Sequence, residues 1–334
     1  MFEGLVSMLE FIRKICGEQN GSVSLTVAIF MVVLIGIAGF VMDMGARYSE
    51  GVRLQNSLDS AVLAASQELP ANNTSSSAWA ATESEALNYA SLNGFDITAD
   101  DLEPVYKNGK IIGISALETV SVEYNFIKVL GIDSGSVTRT ASAGLSPVGG
   151  VGGAVPLCIT DSGLRSAIEA GAVRGLIIKC STDSSLVGID SSTLHGWFGA
   201  VRFDGSGASN YSNLLANGYS SVLTIGQVLD MENGNMSGPT MDGFTTRVSK
   251  CTDGCTPDNY LPGCPRVVYL PVVQVLPSKQ VKIISFAAFF LEECGGNGNN
   301  SYIKASYLNG VSVPDAASGV SGQDFGLYVN KLLS

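Results

Sequence analysis

Three cysteines close together in the chain have the clearest capacity for chemistry. Cys251, Cys255 and Cys264 are separated by three and eight residues in a loop-like stretch. Thiolates bind zinc, but this spacing is not a common zinc pattern, and the nearby acids lack the glycine and glutamate positions of a calcium-binding EF-hand. In an oxidising compartment such cysteines form disulfides. We favour a disulfide over zinc, with free thiols as a third option, and we predict no metal ion and no cofactor.

The single histidine does not form a recognisable catalytic site. His195 lies in "TLHGWFG", and the sequence has no G-x-S-x-G nucleophile elbow and no evident acid or nucleophile to act with it. The Gly-rich stretch "SPVGGVGGAVP" lacks the Lys-Ser or Lys-Thr pair that a phosphate-binding P-loop requires. We therefore predict no catalytic residues and a protein that is not an enzyme.

The amino-acid composition and the net charge limit the classes of molecule that this protein can bind. The 334 residues carry a formal net charge of -11 and only 15% charged side chains. Nucleic-acid binding usually requires a clustered Lys/Arg surface, which this sequence lacks, so we exclude nucleic acid as a partner. The 39 glycines, together with abundant Ser, Thr and Asn, favour a turn-rich chain with many strands.

One long apolar run divides the chain. Residues 21–42 have no charged side chain, and about 20 residues at ~1.5 Å each span the hydrocarbon core of a bilayer. A cleaved signal peptide is the alternative, because Gly36 and Ala38 resemble a cleavage site, but the apolar residues continue past them. We predict a transmembrane helix at 21–42 that includes Val23, Ile29, Leu34, Phe40 and Met42.

The charges on the two sides of the run do not decide its orientation in the membrane. We therefore infer the orientation from the length of the chain on each side of the run. The short flank, residues 1–20, is easier to leave in the cytoplasm than the long remainder of the chain. Six of the seven cysteines would then lie outside, where they can form disulfides with each other. These candidates for disulfides are Cys158, Cys180, Cys251, Cys255, Cys264 and Cys294.

The helical pattern continues beyond the apolar run. Apolar residues recur at three- and four-residue steps after Asp43, while polar residues fall on the other faces. This spacing predicts one long helix that leaves the membrane as a stalk and ends at Pro70. Its apolar face packs either on the protein's own domain or on a partner helix, and comprises Leu54, Leu58, Ala61, Ala65 and Leu69.

The rest of the chain predicts an α+β fold. A helix between Ser77 and Asn93, a hairpin at Asn108-Gly109, and further strands complete a stalk-and-module region over 43–145. Residues 146–155 are Gly-rich and predict a linker. Residues 156–334 predict a mixed β-rich domain, with "VVYLPVVQVL" and "VKIISFAAFF" as two buried neighbouring strands.

Several motifs in and after the apolar run resemble those of the TadE/TadG-like proteins of the tight-adherence (Flp) pilus assembly system. They are "GSV" from Gly21, "DMGARY" from Asp43 and "LQNSLDSAVLAA" from Leu54, and the resemblance resumes in "FIKVLGIDSGSVTRTASAGL" from Phe126. Prepilins of this system carry Glu five positions after the cleavage-site Gly, where this chain has Thr26. The chain is therefore more similar to the uncleaved, TadG-like branch.

Many members of that branch carry a D-x-S-x-S metal motif, which this sequence lacks. Both partial copies end in an apolar residue, at Asp190-x-Ser192-x-Leu194 and Asp204-x-Ser206-x-Ala208. The resemblance implies no metal site here.

The resemblance implies a non-enzymatic, single-pass protein of the bacterial inner or cell membrane. Its domains outside the membrane would include a small pilin-like module, and its partners would be other TadE/G-like subunits, the pilin or the assembly platform. The alternative is a membrane-anchored carbohydrate-binding module or enzyme, which would need exposed aromatic residues such as Trp197.

Overall fold

A computed structural model describes residues 19–69, 76–107, 109–180, 199–232, 234–313, 316–317 and 322–333. Its first element is one uninterrupted helix, α1 (Gln19–Ala65), followed by a 3-10 turn at Ser66–Glu68. The predicted long helix is therefore present, but its α-helical part ends at Ala65. Pro70, which we expected to end it, lies outside the described residues.

The first half of α1 is apolar and uncovered. Between Leu25 and Glu68 this helix is long and apolar enough to cross a membrane, and only 6% of its most apolar window is buried. A core helix of a soluble protein would be mostly buried there. The run of exposed large apolar side chains ends at Met42, and Asp43 follows it.

The second half of α1 packs against a helix and a sheet. Helix α2 (Ser76–Leu92) contacts α1 on one side. The same half of α1 also packs on an antiparallel meander of three strands, β1 (Leu102–Lys107), β2 (Lys110–Glu123) and β3 (Ser134–Pro147). The hairpin between β1 and β2 is confirmed by the pairing of Tyr106 with Ile111.

The end of the chain returns to complete this sheet. Strand β13 (Leu327–Leu332) pairs antiparallel with β3, and β12 (Val311–Ser312) pairs with β13, which gives the order β1-β2-β3-β13-β12. The sheet that packs on α1 thus contains strands from both ends of the chain. Sequence periodicity did not predict this pairing, because it depends on partners far apart in the chain.

The predicted linker is buried in the structure. Strand β3 continues to Pro147, and β4 (Gly150–Val151) pairs with β7 (Leu223–Thr224). A Cβ on Gly150 would lie 2.7 Å from the carbonyl oxygen of Leu223, so this glycine permits a close approach of two backbones. Residues 146–155 therefore do not form an exposed connection. The division of the chain into domains at this point stays a prediction.

A second sheet fills the remainder. Its order is β5-β9-β10-β11-β6, with β8 also paired to β10. The strands are β5 (Ile159–Thr160), β6 (Leu176–Cys180), β8 (Val228–Asp230), β9 (Val267–Leu276), β10 (Gln280–Gly295) and β11 (Tyr302–Leu308). Three helices accompany it, namely α3 (Asp161–Glu169), α4 (Ala208–Asn217) and α5 (Ser237–Val248).

Strand β10 lies at the centre of the second sheet and is buried on both faces. Phe286 and Phe290 point into one apolar cluster, while Phe289 and Leu291 point into the other. The predicted neighbouring pair of buried strands, β9 and β10, is confirmed by their antiparallel pairing, whose register shifts once between Ile283 and Ser285. The chain is thus a long apolar helix followed by a mixed α/β region with sheets.

Candidate functional site

The joint between the apolar helix and the first sheet consists of contacts repeated along one face of the helix. Residues four apart lie above one another on a helix, and every fourth residue of α1 from position 39 to 55 contacts the β2–β3 hairpin. These contact positions are Gly39, Asp43, Arg47, Gly51 and Gln55.

Asp43 is the central contact of the joint. One carboxylate oxygen accepts backbone N–H groups from Phe126 at 2.9 Å and Ile127 at 2.7 Å, and the other accepts the N–H of Asn125 at 2.9 Å. The side chain is buried, with 2% of its surface exposed. Burial opposes its ionisation, but the three N–H groups outweigh this effect and hold the pKa of Asp43 below its ordinary value.

Gly39 lies one helical turn nearer the apolar end and contacts the same turn. A Cβ at Gly39 would lie 2.6 Å from the Cβ and 2.8 Å from the Cγ of Phe126. Only a residue without a Cβ permits this approach, because the nearest atom of Phe126 is fixed to its backbone. Gly39 and Asp43 therefore hold the turn after β2 against two successive turns of the helix.

Three polar contacts continue the joint along β3. Arg47 Nη2 donates to the carbonyl of Ser136 at 2.8 Å, and Gln55 Nε2 donates to the carbonyl of Thr140 at 3.2 Å. Between them, Arg139 Nε donates to the carbonyl of Gly51 at 3.2 Å. Because these partners advance together, the helix and the strand run in the same direction, and they are joined at several levels.

The predicted stalk face is covered by the protein's own module. Leu54, Leu58, Ala61 and Ala65 are fully buried and share a core with Ala86 and Ala90 of α2 and with Ile114 and Ala116 of β2. Leu69 is 3% exposed and packs with Leu145 of β3. Of the two alternatives left open by the sequence, the structure shows packing on the protein's own domain for this face.

The predicted transmembrane residues have the opposite environment. Each is more than half exposed along the described part of α1, with values of 63% for Val23, 58% for Ile29, 59% for Leu34, 54% for Phe40 and 61% for Met42. No part of the chain in the described ranges covers this surface. This surface needs an apolar environment that the residues described by the structure do not provide.

The structure brings together three of the six cysteines predicted to form disulfides. The Sγ atoms of Cys251, Cys255 and Cys264 all lie within 4.8 Å of one another, and those of Cys251 and Cys264 are 3.7 Å apart. The cluster joins the end of α5 to the start of β9. Cys158 is buried in β-sheet surroundings and Cys294 is half-buried on β10, while the side chain of Cys180 lies outside the described set.

The thiols of this cluster differ in their readiness to ionise. Burial opposes ionisation of Cys251, but hydrogen bonds from the backbone N–H groups of Cys255 and Asp253 and from the neighbouring thiols place its pKa below the ordinary value. Burial raises the pKa of Cys264 to about 11. Cys251 is also only half-buried whereas Cys264 is buried, so Cys251 is the more accessible of the two.

Some residues of interest lie outside the described ranges, and others were missed. Asp190, His195 and Trp197 belong to the first group, so the structure does not test what the sequence predicts of them. Sequence reasoning missed Phe126, which contacts Gly39. The available signal was the apolar turn "NFIKVLGI", but nothing in its spacing identified the helix as its partner.

Comparison with known proteins gives one match. Residues 21–72 match the family described as "Putative Flp pilus-assembly TadE/G-like". No curated protein and no solved structure matches the chain. The matched residues include nearly all of α1, and with it the predicted membrane segment, the helix side of the joint and most of the buried stalk face. Over these residues the chain is similar to the TadE/G-like proteins of Flp pilus assembly.

Proposed function

We propose that this protein is a membrane-anchored, non-enzymatic component of Tad/Flp-type pilus assembly that acts through protein contacts outside the membrane. The observation that carries the proposal is the continuity of α1, whose uncovered apolar half passes directly into a half fixed to a folded module. The family match covers this same helix. The contacts of Gly39 and Asp43 fix the end of the apolar half of this helix to the folded module, as a retained anchor requires.

The proposed orientation leaves the N-terminal flank in the cytoplasm and residues 43–334 outside. We assign the protein to the TadG-like branch, because Thr26 stands where processed prepilins have Glu. The packing of one long helix against an antiparallel sheet supports the analogy with a pilin-like module. Other TadE/G-like subunits, the pilin and the assembly platform are the proposed partners.

A second face of α1 offers a surface for these partners. Tyr48, Val52 and Leu63 lie on one side of the helix, since their positions differ by about 60° at 100° per residue. Their exposed fractions are 73%, 40% and 36%. This side is opposite the buried face, so it remains accessible after the module has folded.

The test compares matched charge substitutions. They are introduced into this protein's own gene in a bacterium that assembles this pilus. Val52→Asp and Leu63→Asp should abolish piliation while the protein stays at its normal level in the membrane fraction. Leu58→Asp, on the buried face, should instead lower the protein level. Normal piliation in the Val52 and Leu63 variants would argue against this contact surface.

A further experiment distinguishes the class of function. Solubilised full-length protein should co-purify with pilus assembly components and should not bind a glycan panel. Glycan binding or hydrolysis without such partners would instead support the membrane-anchored carbohydrate-binding module or enzyme.

A further inference from the structure

The turn between β2 and β3 exposes an unusual amount of apolar surface. It consists of a 3-10 turn at Ile127–Leu130 and the residues on either side of it. The exposed fractions are 44% for Phe126, 88% for Val129, 79% for Leu130 and 51% for Ile132. Single exposed apolar side chains are normal at a protein surface, but here four large ones lie within seven residues. Such a patch marks a contact surface.

The position of this turn indicates what it contacts. Phe126 packs on Gly39, which is four residues before Asp43 and therefore about 6 Å further into the apolar half of α1. The turn thus lies beside the last turn of the apolar helix. Phe40, Val41 and Met42 are all more than half exposed on this part of the helix, so exposed apolar side chains of the helix and of the turn lie at the same level.

The turn is also held at this depth. Three consecutive N–H groups, from Asn125 to Ile127, donate to the Asp43 carboxylate. These charge-assisted bonds are short, and they satisfy backbone groups that would otherwise require water. Asp43 can therefore lie at the membrane boundary with its carboxylate fully hydrogen-bonded, and Phe126 extends from the turn to the apolar side of Asp43, against Gly39.

We propose that residues 126–132 form a membrane-contacting turn that inserts its apolar side chains into the interfacial region of the bilayer crossed by α1. The partner is phospholipid, because the turn is fixed beside a helix surface that acyl chains must surround. Lys128 is exposed within the turn and can extend to the phosphate groups, as lysines at membrane boundaries do.

This inference rests on the proposed function in one respect, namely that α1 spans a membrane. It adds a second attachment, through which the folded module is seated on the bilayer instead of being suspended from a single helix. Together with the joint at Asp43, the membrane-contacting turn would fix the tilt and the height of the module.

The experiment uses full-length protein reconstituted in bilayers with and without brominated acyl chains, which quench tryptophan fluorescence only at contact. Val129→Trp reports on the turn, Val32→Trp on the apolar helix, and Leu261→Trp on an exposed loop far along the chain. The wild-type signal, from Trp79 and Trp197, is subtracted. Because Val129 is 88% exposed, its replacement should leave the fold intact, as an unchanged tryptic digestion pattern would verify.

We expect brominated lipid to quench the tryptophans at positions 129 and 32 to a comparable extent and to leave the one at position 261 unchanged. Quenching at position 32 without quenching at position 129 would overturn the membrane-contacting turn and leave the membrane anchor intact. A protein partner that covers the turn would give this same result. Absence of quenching at both positions would overturn the anchor as well as the turn.

Discussion

The carboxylate of Asp43 accepts the backbone N–H of Ile127 at 2.7 Å, although 84 residues separate the two in sequence. The first charged residue after the apolar run is thus bound to the far end of a β-hairpin. An unsatisfied carboxylate at this position would have to remain hydrated, whereas this one is buried with backbone partners. The relationship makes Asp43 part of the folded module as well as the end of the apolar segment.

Removing this carboxylate should release the turn. In Asp43→Ala the N–H groups of Asn125, Phe126 and Ile127 lose their acceptor, so their hydrogen exchange should become faster in reconstituted protein. Asp43→Asn keeps one acceptor oxygen and should give an intermediate rate. Exchange rates equal to those of the wild type in Asp43→Ala would contradict the role of the carboxylate.

The same contact has a defined pH dependence. The folded-state pKa of Asp43 lies below its ordinary value of 3.8, so the ionised form and its contacts are fully present above that pH. As pH falls through the lowered pKa, the carboxylate is protonated and its stabilising contribution is lost. Protection of the three N–H groups against exchange should therefore be constant near neutral pH and should decrease only in strong acid. A decrease around pH 6 would point to a different group.

A side chain at Gly39 should displace the membrane-contacting turn. Gly39→Leu places a Cβ 2.6 Å from that of Phe126, which must move together with its backbone. Gly36→Leu is the matched control, because a Cβ there would meet nothing within 4 Å. Limited proteolysis at Lys128 should be faster in Gly39→Leu and unchanged in Gly36→Leu. Equal cleavage in both variants would mean that Gly39 does not position the turn.

Truncation of the buried stalk face should destabilise the module. Leu58→Ala removes a fully buried side chain from the core shared by α1, α2 and the sheet, at a cost of about 3 kcal/mol in the free energy of unfolding. Leu63→Ala, on the accessible face, should change that free energy by less than about 0.5 kcal/mol. Denaturant titration in detergent would measure both, and a similar loss in the two variants would contradict the burial pattern.

The last strand should stabilise the first sheet. Val329 is 6% exposed and pairs with Ser146 of β3, so Val329→Asp buries a charge and should cost at least about 3 kcal/mol. Leu332→Asp, at 46% exposure on the same strand, is the control. Proteolysis should then accelerate at Arg139 in β3 as well as near the C-terminus. Acceleration confined to the C-terminal region would show that the two are not coupled.

The cysteine cluster should show a graded reactivity and a specific cross-link. In reduced protein, Cys251 should be alkylated faster than Cys158, whose thiol is fully buried and has a raised pKa. On oxidation we expect a bond between Cys251 and Cys264, detected by peptide mapping as the loss of two hydrogen atoms. Cys264→Ser should abolish this bond and Cys255→Ser should retain it. Bound zinc in metal analysis, with all three thiols protected, would instead support the zinc alternative.

Local patterns predicted the elements that depend on neighbours in sequence. The three- and four-residue spacing from Leu54 to Ala65 indicated the buried face of α1, and the continuous apolar run around Phe289 indicated a strand covered on both sides. Both signals arise because a residue's burial is set by the repeat of its own helix or strand.

Such local patterns did not predict the contacts between segments that are far apart in the chain. The Gly-rich residues around Gly150 carry the composition of a linker, yet their small size serves a close approach of two strands. The partners of Asp43 and the convergence of Cys251 with Cys255 and Cys264 depend on how the chain folds back on itself. No periodicity along the chain encodes these contacts.

The place of β13 in the first sheet has a consequence for the order of folding. A chain made from its N-terminus contains β1, β2 and β3 early, but β13, which covers the outer edge of β3, is made only after all strands of the second sheet. An open strand edge readily pairs with other chains. The first sheet therefore cannot reach its final form until residues 327–332 have been made.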